Sequence, residues 1–134
     1  TGILPITKDE TGLAVVMGHE IAHAVASHAR ERISNTMLLN GLIGGASSAM
    51  GKNPTMMQQI ILQGVGATSQ LGMLKFSRKH ELEADEMGLI FMAMAGYDPR
   101  EAPVFWERMA AAGGAAPPEF LSTHPGPDRR IDRL

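Results

Sequence analysis

The sequence contains no cysteine among its 134 residues. This absence excludes disulfide bonds, thiolate metal sites and enzymes that use a cysteine nucleophile. Aromatic residues make up only 4% of the chain, and the formal net charge of −2 corresponds to a pI near 6.2. Because nucleic-acid-binding proteins present a basic surface, this charge balance predicts no nucleic-acid partner.

The sequence also lacks a long apolar run. The stretch at 36–50, TMLLNGLIGGASSAM, is interrupted by Asn40 and is rich in Gly and Ser. It is shorter than the roughly 17 to 25 apolar residues that a membrane span requires. We predict a helix that covers the core, with a membrane-facing or partner-facing hairpin as the alternative. The first residues show no signal-peptide pattern, and because the chain opens without an initiator Met we expect it to be trimmed.

The length suits one domain, 1–134, and the ten Met favour helix over strand. The first eight residues are predicted as the end of a strand and a turn, so the fold class is mainly α with at most a small remnant of β-sheet at the N-terminus. Asp9 or Thr11 is predicted to cap the first long helix, and Gly96 to end the helix that carries the acidic cluster. The predicted helices are about 10–34, 36–50, 55–74, 77–95 and 99–112, followed by a Gly/Pro loop at 113–127 and a short basic helix.

Two histidines four residues apart lie in the otherwise apolar stretch VVMGHEIAHAV. Positions four apart on a helix lie about 40° from each other, so His19 and His23 can direct both imidazoles at one metal ion. Glu20 lies beside them and can reach a water on that ion. This HExxH pattern is typical of a zinc site with a glutamate as general base. The alternative is a structural helical domain in which these residues form a buried polar network.

A catalytic zinc site needs a third protein ligand and an open fourth position. The second polar cluster, FSRKHELEADEMG, places Glu81 and Asp85 four residues apart on one helix face. We predict Glu81 as the third ligand and Asp85 as the hydrogen-bond partner of a ligating imidazole. His80 is the rival ligand, and a solvated charged face is the simpler interpretation of this helix.

Small residues accompany both polar clusters. Gly18, Ala22 and Ala26 lie next to the histidine pair, and Ala84 and Gly88 lie next to the acidic pair. Side chains this small allow helices to approach closely. The pattern predicts that the two helices pack against each other and bring Glu81 to the histidines.

Two C-terminal residues are candidates for stabilising a reaction oxyanion, which needs a donor besides the metal. His124 lies in the Gly/Pro-rich loop and can act as the oxyanion donor, fill the fourth zinc position and keep the enzyme latent, or have no role. Arg130 can stabilise the oxyanion, pair with Asp85 or Glu83, or lie in solvent. The sequence leaves these alternatives open.

The combination of HExxH, SRKHELEAD, AGYDP and STHPGPDRRI resembles zinc metallopeptidase family 48, which includes HtpX, BepA and the CAAX prenyl proteases, and is most similar to the soluble BepA-like branch. The resemblance extends over the whole chain. It implies a glutamate-zincin fold with one Zn²⁺ bound by His19, His23 and Glu81. It also implies Glu20 as the catalytic base and Asp85 as a supporting residue.

The same resemblance implies a zinc-dependent endopeptidase that hydrolyses unfolded or misassembled polypeptides. The alternative is a latent or inactive zinc-bound module that binds clients as a chaperone does, because only the end, TGIL, of the family's upstream edge-strand segment is present. Membrane-associated partners are further candidates, and the oligomeric state stays open. The expected location is the bacterial cell envelope, in the periplasm.

Overall fold

The computed structural model describes residues 3–112 and His124. All regular structure in that part of the chain is helical, which confirms the predicted mainly α fold class. The five helices are α1 (Leu4–Thr7), α2 (Glu10–Val25), α3 (His28–Met50), α4 (Met56–Met94) and α5 (Glu101–Ala112). None of these helices has the length and apolar character to cross a lipid bilayer.

Over the described residues 3–8 the predicted strand end is wrong, because Leu4–Thr7 form the single helical turn α1. Pro5 stands at the start of this turn, where proline's fixed φ suits a helix and its missing N–H costs nothing. The main chain then turns at Lys8, which has φ 63°, and α2 begins after Asp9. The Asp9 carboxylate accepts a hydrogen bond of 2.8 Å from the Gly12 N–H, so the predicted N-cap is confirmed.

The chain divides into two compact units, residues 1–26 with 78–134, and Ser27–Ser77. The assignment of 1–134 to a single domain stays a prediction. The first unit contains a hydrophobic core to which α2, the end of α4 and α5 all contribute. Its buried members are Val15, Val16, Met92, Ala102, Phe105, Trp106 and Met109. Phe105, Trp106 and Met109 form the inward face of α5.

The end of α4 has the geometry that its sequence predicts. Gly96 has φ 89°, its N–H donates to the Ala93 carbonyl, and the Tyr97 N–H donates to the Met92 carbonyl, both at 3.0 Å. This pair of bonds is a Schellman motif, in which glycine adopts the left-handed conformation without the strain of a Cβ. The motif ends the helix that carries Glu81 and Asp85.

Three predicted helix boundaries are wrong. The helix α3 runs without a break from His28 to Met50, so the predicted boundary at Asn35 does not occur. The predicted helix 10–34 is interrupted between α2 and α3 at Ser27, which takes the left-handed conformation at φ 60°. The predicted break near residue 75 does not occur, since α4 continues from Met56 to Met94. No Pro lies in that stretch, so nothing in the backbone requires the helix to stop.

The second unit is a helical hairpin of α3 and residues 56–77. On each helix the half-buried positions recur every three or four residues, so they lie along one narrow face of that helix. On α3 these positions are Asn35, Leu39, Ile43, Ala46 and Met50. On α4 they are Gln58, Leu62, Gly66, Ser69, Met73 and Phe76.

Candidate metal centre

The helix α2 approaches α4 at a contact between two glycines. A Cβ built on Gly18 would lie 2.7 Å from the Gly88 carbonyl oxygen, and one built on Gly88 would lie 2.9 Å from the His19 backbone nitrogen. No larger residue fits at either position without a shift of the backbone. The small-residue contact that the sequence predicts therefore occurs at these two positions, directly before His19 on α2 and three residues after Asp85 on α4.

This contact brings the side chains of both helices together. His23 Nε2 lies 3.0 Å from His19 Nε2 and 3.3 Å from Glu81 Oε1. His19 Nε2 lies 3.4 Å from Glu81 Oε2. The three predicted metal ligands thus converge on one point from two helices.

His124 completes the group from the C-terminal part of the chain. Its Nδ1 lies 3.3 Å from His19 Nε2 and 2.9 Å from Glu81 Oε2. The ligand atoms of the four residues all lie within 4.8 Å of one another. In a tetrahedral site with bonds of about 2.0 Å, neighbouring ligand atoms are about 3.3 Å apart, so the observed separations fit one tetrahedral metal ion.

The charge of Glu81 is fixed by its neighbours. Only 4% of the residue is exposed, and this burial by itself disfavours the carboxylate. Hydrogen bonds from His124, His19 and His23 outweigh the burial and hold the Glu81 pKa well below its usual range. Glu81 is therefore an anion at neutral pH, as a metal ligand must be.

Asp85 sets the orientation of the His19 ring from the side opposite the other candidate ligands. Asp85 Oδ1 lies 3.0 Å from His19 Nδ1, and both side chains are almost fully buried. An Nδ1–H that donates to this carboxylate leaves the Nε2 lone pair directed at the other ligands. The Trp106 ring packs edge-on against the imidazole, with 5.6 Å between ring centroids.

Glu20 lies beside the ligand group and not within it. Its side chain is 48% exposed, and Oε1 lies 3.3 Å from His124 Nε2. The hydrogen bond with His124 lowers the Glu20 pKa despite the opposing effect of partial burial. Burial disfavours the His124 cation, but Glu20 and Glu81 together raise the His124 pKa to about 9. In the metal-free chain His124 is thus a cation between two carboxylates.

Comparison with known proteins shows which family the chain belongs to. The family model for peptidase family M48 matches residues 1–134. The chain belongs to peptidase family M48. The predicted resemblance to metallopeptidase family 48 and its gluzincin-like helical fold is thereby confirmed. M48 membership implies a metal, which the four convergent residues could hold.

Several M48 relatives cover almost the whole chain. The mitochondrial metalloendopeptidase OMA1 of Schizosaccharomyces pombe is 38% identical over 99% of this chain and 38% of its own length. OMA1 of Arabidopsis thaliana is 39% identical over 100% of this chain and 26% of its own length. The beta-barrel assembly-enhancing protease of Escherichia coli is 33% identical over 93% of this chain and 27% of its own length. The chain thus spans about a quarter to two fifths of these relatives, and no solved structure matches it.

The predicted location in the bacterial cell envelope is wrong. The M48 relatives that match at 38% and 39% identity are eukaryotic proteins named as mitochondrial, whereas the E. coli protease matches at 33%. The localisation prediction rested on motifs of a soluble bacterial branch. Because mitochondrial and bacterial relatives both match this chain, the resemblance does not separate the compartments.

The structure accounts for most of the residues that the sequence predicts for an M48 site. It brings together His19, His23, Glu81 and His124, with Asp85 and Glu20 beside them. The rival ligand His80 is buried but lies outside the group of four. Arg130 lies outside the described residues, as does the rest of the 113–127 loop apart from His124.

Sequence reasoning missed the contact between Trp106 and His19. The aromatic and apolar spacing of α5 indicates only a core face, and Trp106 does lie in the core. Its contact with the His19 imidazole depends on the packing of α5 against α2. The spacing of residues within α5 does not predict that packing.

Proposed function

We propose that this M48 domain is a zinc-dependent endopeptidase in which His19, His23 and Glu81 bind the zinc ion. The observation that carries the proposal is the convergence of these three ligands at tetrahedral separations, with the Glu20 carboxylate at the edge of the group. Imidazole nitrogens with one carboxylate form a ligand set that zinc favours, and two histidines with one glutamate are a known catalytic set.

Each side chain has a role in this proposal. Zinc, when bound, acts as a Lewis acid that polarises a peptide carbonyl and lowers the pKa of its bound water. Glu20 takes the proton of the attacking water on its carboxylate and delivers it to the leaving amine. Its partial exposure allows contact with solvent, and its lowered pKa keeps it ionised before the reaction. Asp85 holds the His19 ring in the tautomer that binds metal.

In our proposal His124 holds the site in an inactive resting state. Its Nδ1 lies at the fourth corner of the ligand group, and a catalytic zinc site needs that position open for water or substrate. In our proposal His124 must therefore move aside before hydrolysis. His124 Nε2 also lies near the Glu20 carboxylate. While the imidazole stays in place, Glu20 is therefore not available as the general base.

The proposed substrates are unfolded or misassembled polypeptides. The relatives are named as metalloendopeptidases and as an assembly-enhancing protease, which supports a polypeptide substrate for this chain as well. Since the chain spans only part of these relatives, the substrate class rests on their names and on the site alone.

The substitution Glu20→Gln tests the activity. We expect the variant to keep about one zinc per chain, because Glu20 is not a ligand, and to lose cleavage of unfolded casein by at least about 100-fold, because the base is removed. Glu10→Gln, which removes an exposed carboxylate at the start of the same helix, is the matched control and should cleave normally.

Two outcomes would overturn the proposal. Equal cleavage by wild type and Glu20→Gln would show that another group is the base. A wild-type protein that carries zinc and binds casein but never cleaves it would instead be a client-binding module.

A further inference from the structure

The protein encloses the two candidate ligands on α2 to different degrees. The side chain of His23 is 18% exposed, whereas that of His19 is 2% exposed. Asp85 contacts the His19 ring at one atom, Nδ1. Because an N–H···O bond tolerates donor angles well away from linear, a bond at one atom still lets the ring tilt. A second contact, along the body of the ring, is needed to fix its plane.

Trp106 provides such a contact from α5. The ring centroids of Trp106 and His19 are 5.6 Å apart and their planes meet at 71°, an edge-to-face geometry that aromatic pairs prefer. Trp106 is itself 2% exposed, and the Phe105 ring packs against it with 5.0 Å between centroids. Since the core holds the indole in place, the indole does not yield when the imidazole moves.

The other side chains on this side of His19 do not provide a comparable contact. Besides Asp85 and Gly88, the residues that line the space beside the imidazole are apolar: Val15, Leu89, Met92, Ala102 and Trp106. Of these lining residues, Trp106 alone carries a ring. The aliphatic and thioether side chains fill space, but they are smaller or more flexible than an indole. The restraint on the plane of the imidazole therefore rests mainly on Trp106.

We propose that Trp106 is a positioning residue of the metal centre, whose indole holds the His19 imidazole in the orientation in which Nε2 faces the other candidate ligands. Trp106 acts through His19, so the inference rests on the metal site of the proposed function. A ligand that is held in its binding orientation loses less conformational freedom when metal binds. The indole therefore raises metal affinity in addition to stabilising the core.

Three substitutions on α5 separate positioning from core packing. Trp106→Met replaces the rigid ring with a flexible apolar chain, and Trp106→Phe keeps an aromatic ring at the same position. Met109→Ala is the control, because it removes buried apolar volume from the same helix and core at a position that does not line the space beside His19. Urea unfolding measures the stability of each metal-free variant, and circular dichroism shows that each is folded under the assay conditions.

Metal binding is the readout that a purely structural role would not change. Competition with a chromophoric chelator measures Zn²⁺ affinity, and visible absorption of the Co²⁺-substituted protein reports the ligand geometry. We expect Trp106→Met to weaken Zn²⁺ binding at least about fivefold and to change the Co²⁺ spectrum. Trp106→Phe and Met109→Ala should bind Zn²⁺ within about twofold of wild type, even though Met109→Ala lowers the urea midpoint.

Three results would overturn the proposal. Wild-type Zn²⁺ affinity and an unchanged Co²⁺ spectrum in Trp106→Met would remove the positioning role and leave the metal site intact. Equal losses of affinity in Trp106→Met and Met109→Ala would show that Trp106 acts only through the stability of the core. A wild-type protein that binds neither Zn²⁺ nor Co²⁺ would overturn the proposed metal site and this inference together.

A measurement on the wild-type protein decides the matter if Trp106→Met does not fold. Trp106 is the only tryptophan in the chain, so its fluorescence reports on this position alone. We expect stoichiometric Co²⁺ to quench that fluorescence through energy transfer, and a chelator to restore it. Unchanged fluorescence at saturating Co²⁺ would show that the indole does not lie beside a metal ligand, which would overturn the proposal.

Discussion

His19 determines the geometry of the metal centre at the scale of single residues, because each of its ring nitrogens has a different partner. Nδ1 meets Asp85 and Nε2 meets the other ligands, while Trp106 contacts the ring itself. The imidazole therefore has little freedom to rotate. A ligand that is already oriented loses less entropy when it binds metal.

Asp85→Asn tests this orientation. The amide oxygen can still accept the Nδ1–H, but it lacks the negative charge that strengthens this bond, so we expect zinc affinity to fall by about 10- to 100-fold. Competition with a chromophoric chelator measures the change. Glu86→Gln, at an exposed position next to Asp85, is the control and should bind zinc as wild type does. An unchanged affinity in Asp85→Asn would show that Asp85 does not orient His19.

His124→Ala tests the resting state. Removal of the imidazole leaves three ligands and an open fourth position, so we expect peptidase activity to rise while zinc stays bound. Activity on unfolded casein and metal content are measured on the same preparation. A fall in activity with full zinc would indicate that His124 stabilises the oxyanion, and no change would indicate that it has no role.

At the residue scale, proximity of side chains is predictable from sequence where both residues lie on one helix. The four-residue spacings place His19 with His23 and Glu81 with Asp85, and the structure brings these pairs together. The position of His124 could not be predicted, because it depends on a contact 105 residues away in sequence from His19. Helical periodicity contains no information about such a contact, so three roles for His124 stayed open.

At the scale of helices, the contact of Gly18 with Gly88 fixes how α2 meets α4. Gly88→Ala would place a Cβ 2.9 Å from the His19 backbone nitrogen, so a helix must move. We expect a loss of about 1–3 kcal/mol in the free energy of unfolding and weaker zinc binding. Urea denaturation and chelator competition measure the two effects.

Gly72→Ala is the matched control on the same helix. A Cβ at Gly72 has nothing within 4 Å, so the change should stabilise α4 by up to about 1 kcal/mol through helix propensity. Equal effects at the two positions would contradict a close contact at Gly88.

Helix boundaries were predicted well where capping chemistry is local. Asp9 and Gly96 act at the ends of α2 and α4 through hydrogen bonds to residues within five positions. The break at Ser27 was missed because serine has no strong preference for the left-handed conformation, so tertiary packing decides it. The continuity of α4 was not predicted. The polar residues after Leu74 have the composition of a helix boundary, but the helix does not end there.

At the scale of the whole molecule, the two compact units differ in how much they bury. The first contains the core and the candidate metal ligands, whereas no residue of 29–77 in the second is buried. Backbone amides in regions with few buried contacts open at low free-energy cost. The two units should therefore differ in local stability even though both are helical.

Hydrogen exchange of the zinc-loaded protein tests this difference. We expect amides of residues 36–74 to exchange faster than those of residues 12–22 and 81–92, and chelation of zinc to increase exchange mainly in the latter two segments. Mass spectrometry of peptic fragments resolves these segments. Equal protection in the hairpin and in α2 would contradict the expectation.

The glycine contact between α2 and α4 also has a consequence for how this chain tolerates change over evolution. Where two main chains touch directly, the gap between them is set by atoms that every amino acid shares. Substitutions elsewhere in the interior can then change side-chain volumes without increasing the distance between the two histidines and the glutamate. The distance between the candidate ligands is then protected from such substitutions, at the cost of two positions at which no residue larger than glycine fits without a shift of the backbone.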